Sequence, residues 1–304
     1  MTINETLTMT AFMLAPAFFS LLGLAALGSP IIALLGELTA RFQGKVFYDK
    51  YGQQTATMGV LLTLLTIIVE IVGLAVAYIK FPNLFQEWIT ANSPFAGAGI
   101  AMVLFLFFSV TYSLTWKRLR PYKIIHTIIG IGAASAAIAL IILGIFPKLT
   151  VAGSEEVLPQ IVHSILAPLT GMYLILTVAA AAGLSCLYLV FRRKKDDFGR
   201  DYYNFALKLA SRWALFFSIP FLGCQSWLFL ALPQTIQTIV LGTPLGLVWG
   251  VGAVLTLICI LIWGGLARSQ SPLQLKGLTL VTFILMWLMH TMNVTVFVNF
   301  MMMI

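Results

Sequence analysis

Eight apolar runs, each long enough as a helix to cross a hydrocarbon layer about 30 Å thick, dictate what this chain can become. They fall near 11–39, 55–79, 96–116, 123–147, 164–191, 205–232, 239–266 and 277–300. Lipid offers no water to bond exposed backbone N–H and C=O groups, so a spanning segment must be a helix or a strand of a closed barrel. The two-residue alternation of a barrel strand is absent, which leaves helices. Composition agrees, because 304 residues that are 60% hydrophobic and 9% charged leave too little polar surface for a water-soluble fold. The predicted fold class is all-α, a polytopic membrane protein of about eight transmembrane helices in a single integral membrane domain over 1–304.

Basic residues sort the ends of these runs. Arg41, Lys45 and Lys50 follow the first run, and Lys117, Arg118, Arg120 and Lys123 the third. Arg192, Arg193, Lys194, Lys195 and Arg200 follow the fifth, and Arg268 and Lys276 the seventh. The intervening connections hold only Lys80 and Lys148. Cytoplasmic loops carry the excess of Lys and Arg, so the predicted topology is N-out, C-out. Orientation thus accounts for the net charge of +8 without a nucleic-acid partner. The first ten residues lack the basic start and small-residue cleavage site of a signal peptide, which predicts a retained first helix. Cys186, Cys224 and Cys259 lie inside apolar runs and no Cys-x-x-Cys-His occurs, which argues against disulfides, zinc fingers and covalent haem c. The longest outer connections, around Lys80–Pro94 and Lys148–Gln160, are too short to form a domain. A large extramembrane partner has to be another chain.

Few side chains remain to carry chemistry. A haem b held between helices needs two axial ligands at matched depth, and the histidines are three, His126, His163 and His290. His126 falls near the cytoplasmic start of the fourth helix. His163 falls at the outer start of the fifth, and His290 about 15 Å from the outer end of the eighth. His163 and His290 can share a haem if His163 is drawn into the bundle; otherwise His163 faces water and His290 bonds a neighbouring helix. Met289 and Met292 are further candidate ligands or simple packing. Glu70 is the one carboxylate near mid-membrane and must be protonated or paired, so it is a proton or quinone candidate together with His126, or a neutral carboxyl bonded across helices. Arg212 is expected to snorkel to the cytoplasmic interface. The run from Arg192 to Arg200 reads as a topology determinant, with lipid headgroups as an alternative. Gly242, Gly246 and Gly250 in the seventh helix, and Gly130, Ala134 and Ser135 in the fourth, predict close helix packing.

Several segments resemble subunit I of cytochrome bd quinol oxidase (CydA). They are Gly28-Ser-Pro-Ile-Ile-Ala-Leu-Leu-Gly-Glu37 with Gly44-Lys45 and Tyr48-Asp49; Leu119-Arg120 with Lys123 and His126; and Gly183-Leu-Ser-Cys-Leu-Tyr188. Together they span about the first 210 residues. The resemblance implies a CydA-like arrangement of four-helix bundles in a prokaryotic-type inner membrane. It also shows departures. The family's first-helix haem histidine falls on Phe19, its two third-helix glutamates on Gly99 and Phe107, and its last-helix glutamate at or beside Thr291. The low-spin haem's methionine belongs to a helix that here, over 239–266, has neither Met nor His, and its histidine falls on His163 or on Pro168. The long quinol-binding loop is reduced to Leu232-Pro-Gln-Thr-Ile-Gln-Thr238.

The leading expectation is therefore a CydA-like subunit of a respiratory electron-transfer complex that has lost the oxygen-reducing haem sites. It would act beside a haem-bearing partner, either another membrane subunit or a periplasmic cytochrome c. An alternative is a quinone-interacting subunit, with or without one haem b, that passes electrons between the quinone pool and an external cytochrome. A third is a small-molecule transporter, against which stands the lack of a Gly/Pro-interrupted helix pair in corresponding halves. Expected cofactors run from none to one haem b, with quinone as a further ligand.

Overall fold

In a computed structural model the chain is helical throughout its ordered elements. The structure describes residues 2–82, 93, 95–119, 121–151, 158–196 and 198–303, with the backbone alone at 146–151, 158–163 and 301–303. The long helices are α1 (Ile3–Gln43), α2 (Val46–Lys80), α3 (Ala96–Thr115), α4 (Lys123–Val151), α5 (Leu158–Asp196) and α6 (Arg200–Ala231). A short α7 (Gln234–Gly242) precedes α8 (Pro244–Arg268), and a 3-10 turn (Pro272–Leu275) leads into α9 (Lys276–Met303). Among the described residues eight helices are long and apolar enough to cross a membrane, so the predicted number of spans holds. The protein is a multi-pass, all-helical membrane protein.

Two differences from the expected boundaries have plain causes. Helices α1 and α2 extend well beyond their apolar runs, to Ile3 and Val46, because polar residues at the membrane surface continue a helix as readily as they end one. The stretch around Leu232–Thr238, expected as a loop, is helical from Gln234, and the seventh apolar run is cut in two. Proline causes the cut: Pro244 lacks an N–H and opens α8, and Thr243 before it is extended (φ −120°, ψ 165°). Pro168 and Pro220, by contrast, lie within α5 and α6, which run on through them.

The chain divides into two compact units. One comprises Leu22–Lys148, from the second half of α1 to most of α4. Its core is a close crossing of α1 and α2. A Cβ added to Gly52 would lie 2.8 Å from the Ala33 carbonyl oxygen and 2.9 Å from the Trp116 ring, and one on Gly59 would meet Ser29 Cβ at 2.5 Å. Ala33, Ala56, Tyr112 and Trp116 bury together there. Gly130 lets α4 press on the Tyr112 ring, where an added Cβ would come within 2.8 Å. The fourth helix therefore packs through Gly130 and Ala134 as expected, whereas Ser135 is exposed.

The other unit comprises Met1–Leu21 and Leu149–Ile304. Its centre is the alanine run Ala179–Ala182 of α5, buried throughout, followed by Gly183, where an added Cβ would stand 3.0 Å from both Met286 Sδ and the Trp263 ring. The start of α1 is pinned to α9: Trp287 Nε1 donates to the Leu14 carbonyl at 2.8 Å, and the Phe18 ring meets Phe283 and Trp287 edge-on. The glycine seam expected in the seventh helix is not a packing seam. Gly242 and Gly250 face open space, and Gly246 instead allows the tight turn from α7, where an added Cβ would sit 2.8 Å from the Val240 carbonyl oxygen.

Candidate functional site

Where the last turns of α1 and α3 meet the start of α4 in the first unit, four polar side chains converge on one carboxylate. Glu37 is buried two turns before the end of α1, and each of its oxygens has two partners. Oε1 accepts from Arg41 Nη2 at 2.8 Å and from Thr127 Oγ1 at 2.9 Å; Oε2 accepts from Tyr112 Oη at 2.8 Å and lies 3.0 Å from His126 Nδ1. Helix periodicity supplies the pieces, because Arg41 follows Glu37 by one turn, and His126 and Thr127 sit together in the first turns of α4. The Arg41 guanidinium also donates to the Lys123 carbonyl and so ties α1 to the start of α4.

The imidazole of His126 faces acceptors on both sides. Its Nδ1 meets the Glu37 carboxylate, and its Nε2 lies 3.1 Å from the Tyr112 backbone oxygen. A neutral ring donates at one nitrogen only, and which of the two acceptors it serves depends on its tautomer. The ring stacks on Tyr112 (centroids 4.5 Å apart, 27° between planes) and takes the edge of Trp116. Next to it opens a cavity of about 200 Å³ lined by Glu37, Arg41, Lys45, Asp49, Lys123 and His126. That volume admits several water molecules onto two carboxylates, an imidazole and three basic side chains. The arrangement can bind and pass a proton.

The remaining sequence candidates lie apart from this cluster. Glu70 is exposed on α2, with neither a hydrogen bond nor an ion pair among the described residues, so these residues do not form the alternative of a carboxyl bonded across helices. In the second unit His290 is fully enclosed, its Nε2 is 3.1 Å from Ser20 Oγ, and its Nδ1 has no partner among the described residues. His163 belongs to α5, but its side chain lies outside the described residues, as does Arg120.

Near His290 in sequence, Gln225 Nε2 donates to Asn293 Oδ1 at 2.8 Å, and Asn293 Nδ2 donates to Met289 Sδ at 3.1 Å. This pair faces a second cavity of about 60 Å³, lined by Met172, Gln225, Phe229, Trp249, Asn293 and Phe300. The Met289 sulfur accepts from Asn293 and the His290 Nε2 lies beside Ser20 Oγ, and neither side chain lines this cavity. Among the described residues no group of three or more His, Cys, Asp or Glu side chains is arranged to hold a metal ion.

The positions the resemblance assigns to oxygen-reducing haem ligands hold Phe19, Gly99 and Phe107, with Thr291 at or beside the last and His290 next to it. Phe19 and Phe107 are exposed, at 37% and 63% of their surface, Gly99 faces open space, and the buried Thr291 hydroxyl donates to the Trp287 carbonyl at 2.9 Å.

No family model matches the chain, and no curated protein matches it in sequence. Its fold is similar to that of a solved bd oxidase from Geobacillus thermodenitrificans, with a TM-score of 0.70 and 12% sequence identity over 96% of this chain and 86% of that one. At that identity the likeness speaks for the fold, and it agrees with the resemblance read from Gly28–Glu37, Lys123–His126 and Gly183–Tyr188. This chain is a multi-pass membrane protein with a CydA-like fold.

Proposed function

We propose that the chain is a subunit of a respiratory electron-transfer complex that has given up the oxygen-reducing haem sites and works beside a haem-bearing partner. The observation that carries this reading is the set Phe19, Gly99, Phe107 and Thr291 at the family's ligand positions. Haem iron is held by imidazole, thiolate, thioether or phenolate donors, and the resemblance adds glutamate carboxylates; none of these four side chains is one. The subunit contributes the bundle, its lipid contacts and a proton-binding cluster at Glu37 and His126. Its Lys- and Arg-rich connections face the cytoplasm, both termini face out, and the 200 Å³ cavity takes up protons from the cytoplasmic side. The partner is another membrane subunit or a periplasmic cytochrome c.

A visible absorption spectrum of the purified, dithionite-reduced chain tests the proposal. The expected result is no haem alpha band from this chain, with haem absorption in the native complex residing in co-purifying chains. Two or three porphyrins bound to this chain alone overturn it. A single haem b whose band disappears on replacing His163 or His290 selects the quinone-to-cytochrome alternative instead.

One observation favours the quinone reading in part. Gln225 is buried and its Oε1 has no partner among the described residues, although it lines the apolar cavity beside Phe229 and Trp249. An unmet acceptor in an apolar recess suits a ligand that brings a hydroxyl and an apolar tail, as a quinol does. Gln225→Leu is expected to remove quinol binding by the complex if this recess is used, and to leave it unchanged otherwise.

A further inference from the structure

Helix α2 carries one seam with two fates. Gly52, Ala56, Gly59, Thr63, Thr66, Glu70, Gly73 and Ala77 recur at alternating spacings of four and three, so they fall along one stripe of the helix. From Gly52 to Thr63 the stripe is buried, and Gly52 and Gly59 press against Ala33 and Ser29 of α1. Thr66 faces α1 opposite Gly23, where an added Cβ would lie 3.8 Å from its methyl group. Above it Glu70 and Gly73 are exposed, Gly73 has no atom within 4 Å of an added Cβ, and Ile71, Val72 and Ile79 flank the stripe at 60%, 59% and 73% exposure.

Glu70 makes this bare half more than a lipid-facing surface. It lies about 15 Å along the helix from Lys80 and about 22 Å from Thr55, inside the apolar run from both ends. An unpaired carboxylate facing hydrocarbon is costly, and intramembrane acids almost always face a bundle interior, a water-filled cavity or a partner. Among the described residues Glu70 has none of these. A surface that only met lipid would carry Leu or Ile there, as its neighbours do.

We infer that the Glu70–Ala77 half of α2 is the docking seam for a transmembrane helix of a different chain, which brings a basic side chain to the depth of Glu70. The small residues Gly73 and Ala77 let the two backbones approach, as Gly52 and Gly59 do against α1 in the buried half of the same stripe. A second copy of this chain is a poor occupant. Two copies share one orientation in the membrane, so pairing along this stripe sets Glu70 against Glu70 with no cation between them. The inference rests on the reading of the chain as one subunit of a membrane complex, and it names the face by which that complex is built.

The test uses the full chain in its native membranes, with a photoreactive residue at position 73 or 77 and a control at Leu261, an exposed residue of α8. The expected product is a cross-link from 73 and 77, but not from 261, to one other membrane protein. Mass spectrometry should place the link from 73 within about one helical turn, and that from 77 within about two turns, of a Lys, Arg or His in a transmembrane helix. Glu70→Leu should lower recovery of that protein with this chain roughly tenfold or more. Exchanging the charges, with Glu70→Lys here and Glu in place of the partner's basic residue, should restore it. Cross-links only to lipid, to a second copy of this chain or to a helix without a basic residue overturn the inference, and so does a Glu70→Leu chain that retains its partner in full. A wild-type chain that co-purifies with no membrane protein sinks the subunit reading itself. A partner that stays bound through other helices sinks the docking seam alone.

Discussion

Glu37 and Glu70 are both carboxylates within apolar membrane helices of the same unit, and the fold treats them in opposite ways. Around Glu37 the ends of three helices supply Arg41, Tyr112, His126 and Thr127, and no lone pair is left to find. Around Glu70 the described residues supply no hydrogen bond or ion pair, and Ile71 to Val76 beyond it are exposed. A polar group buried within one chain must be satisfied by that chain, whereas one left on a membrane-facing surface has to be satisfied from outside. The first carboxylate is therefore part of how this subunit holds itself together, and the second part of how it holds something else.

The largest expected effect breaks the satisfied side of this contrast. Glu37→Leu strands the Arg41 guanidinium, the Tyr112 hydroxyl and the His126 imidazole in a buried site. Removing one partner from such a network costs about 3–5 kcal/mol, read as a marked fall in the thermal midpoint of the detergent-solubilised chain. A midpoint within a degree of wild type would mean that the cluster does not support the fold. Tyr112→Phe keeps the ring that stacks on His126 and deletes only the hydroxyl. It should cost about 1.5–3 kcal/mol, the range for a hydrogen bond to a charged group.

The fold was legible in the sequence because run length and backbone satisfaction decide it. Eight apolar runs give eight spans wherever the chain is placed in lipid. The candidate site was legible only in part. Glu70 stands out in a string because it is isolated among Ile and Val, and His126 because histidines are few. Glu37 does not stand out: it falls near the end of an apolar run with Arg41 close behind, as though at the membrane surface. Its importance lies in convergence, since Tyr112 and His126 reach it from 75 and 89 residues away. The one sequence signal that pointed there was the resemblance over Gly28–Glu37 and Lys123–His126, whose two ends prove to meet in one cluster. Gly242 and Gly250 show the reverse error, because small residues at regular spacing allow a close crossing without bringing a second helix to it.

Two glycines on the α2 stripe sharpen the same comparison at smaller scale. Gly52→Ala puts a methyl 2.8 Å from the Ala33 carbonyl oxygen, a backbone atom that moves only if α1 moves. The expected cost is about 1–3 kcal/mol, as for other overpacked contacts. Gly73→Ala, on the bare half, meets nothing and should stabilise the isolated chain by about 0.5–1 kcal/mol through helix propensity alone. Thermal midpoints of the two variants should move in opposite directions; a loss at both positions would mean that the upper half of α2 is packed against its own chain.

The smallest effect is the most telling, because it is close to zero. Glu70→Gln in the purified chain, away from any partner, replaces a carboxyl group that makes no hydrogen bond or ion pair among the described residues. Its stability in detergent should change by less than about 0.5 kcal/mol, as for surface positions generally. Detergent headgroups and water reach Glu70 in a micelle, so neither form of the side chain is stranded there. The same substitution in native membranes acts on a carboxylate whose only source of satisfaction is another chain. A loss of stability in the isolated protein as large as that of Tyr112→Phe would show that Glu70 is paired within the chain after all. The two carboxylates would then differ in location only.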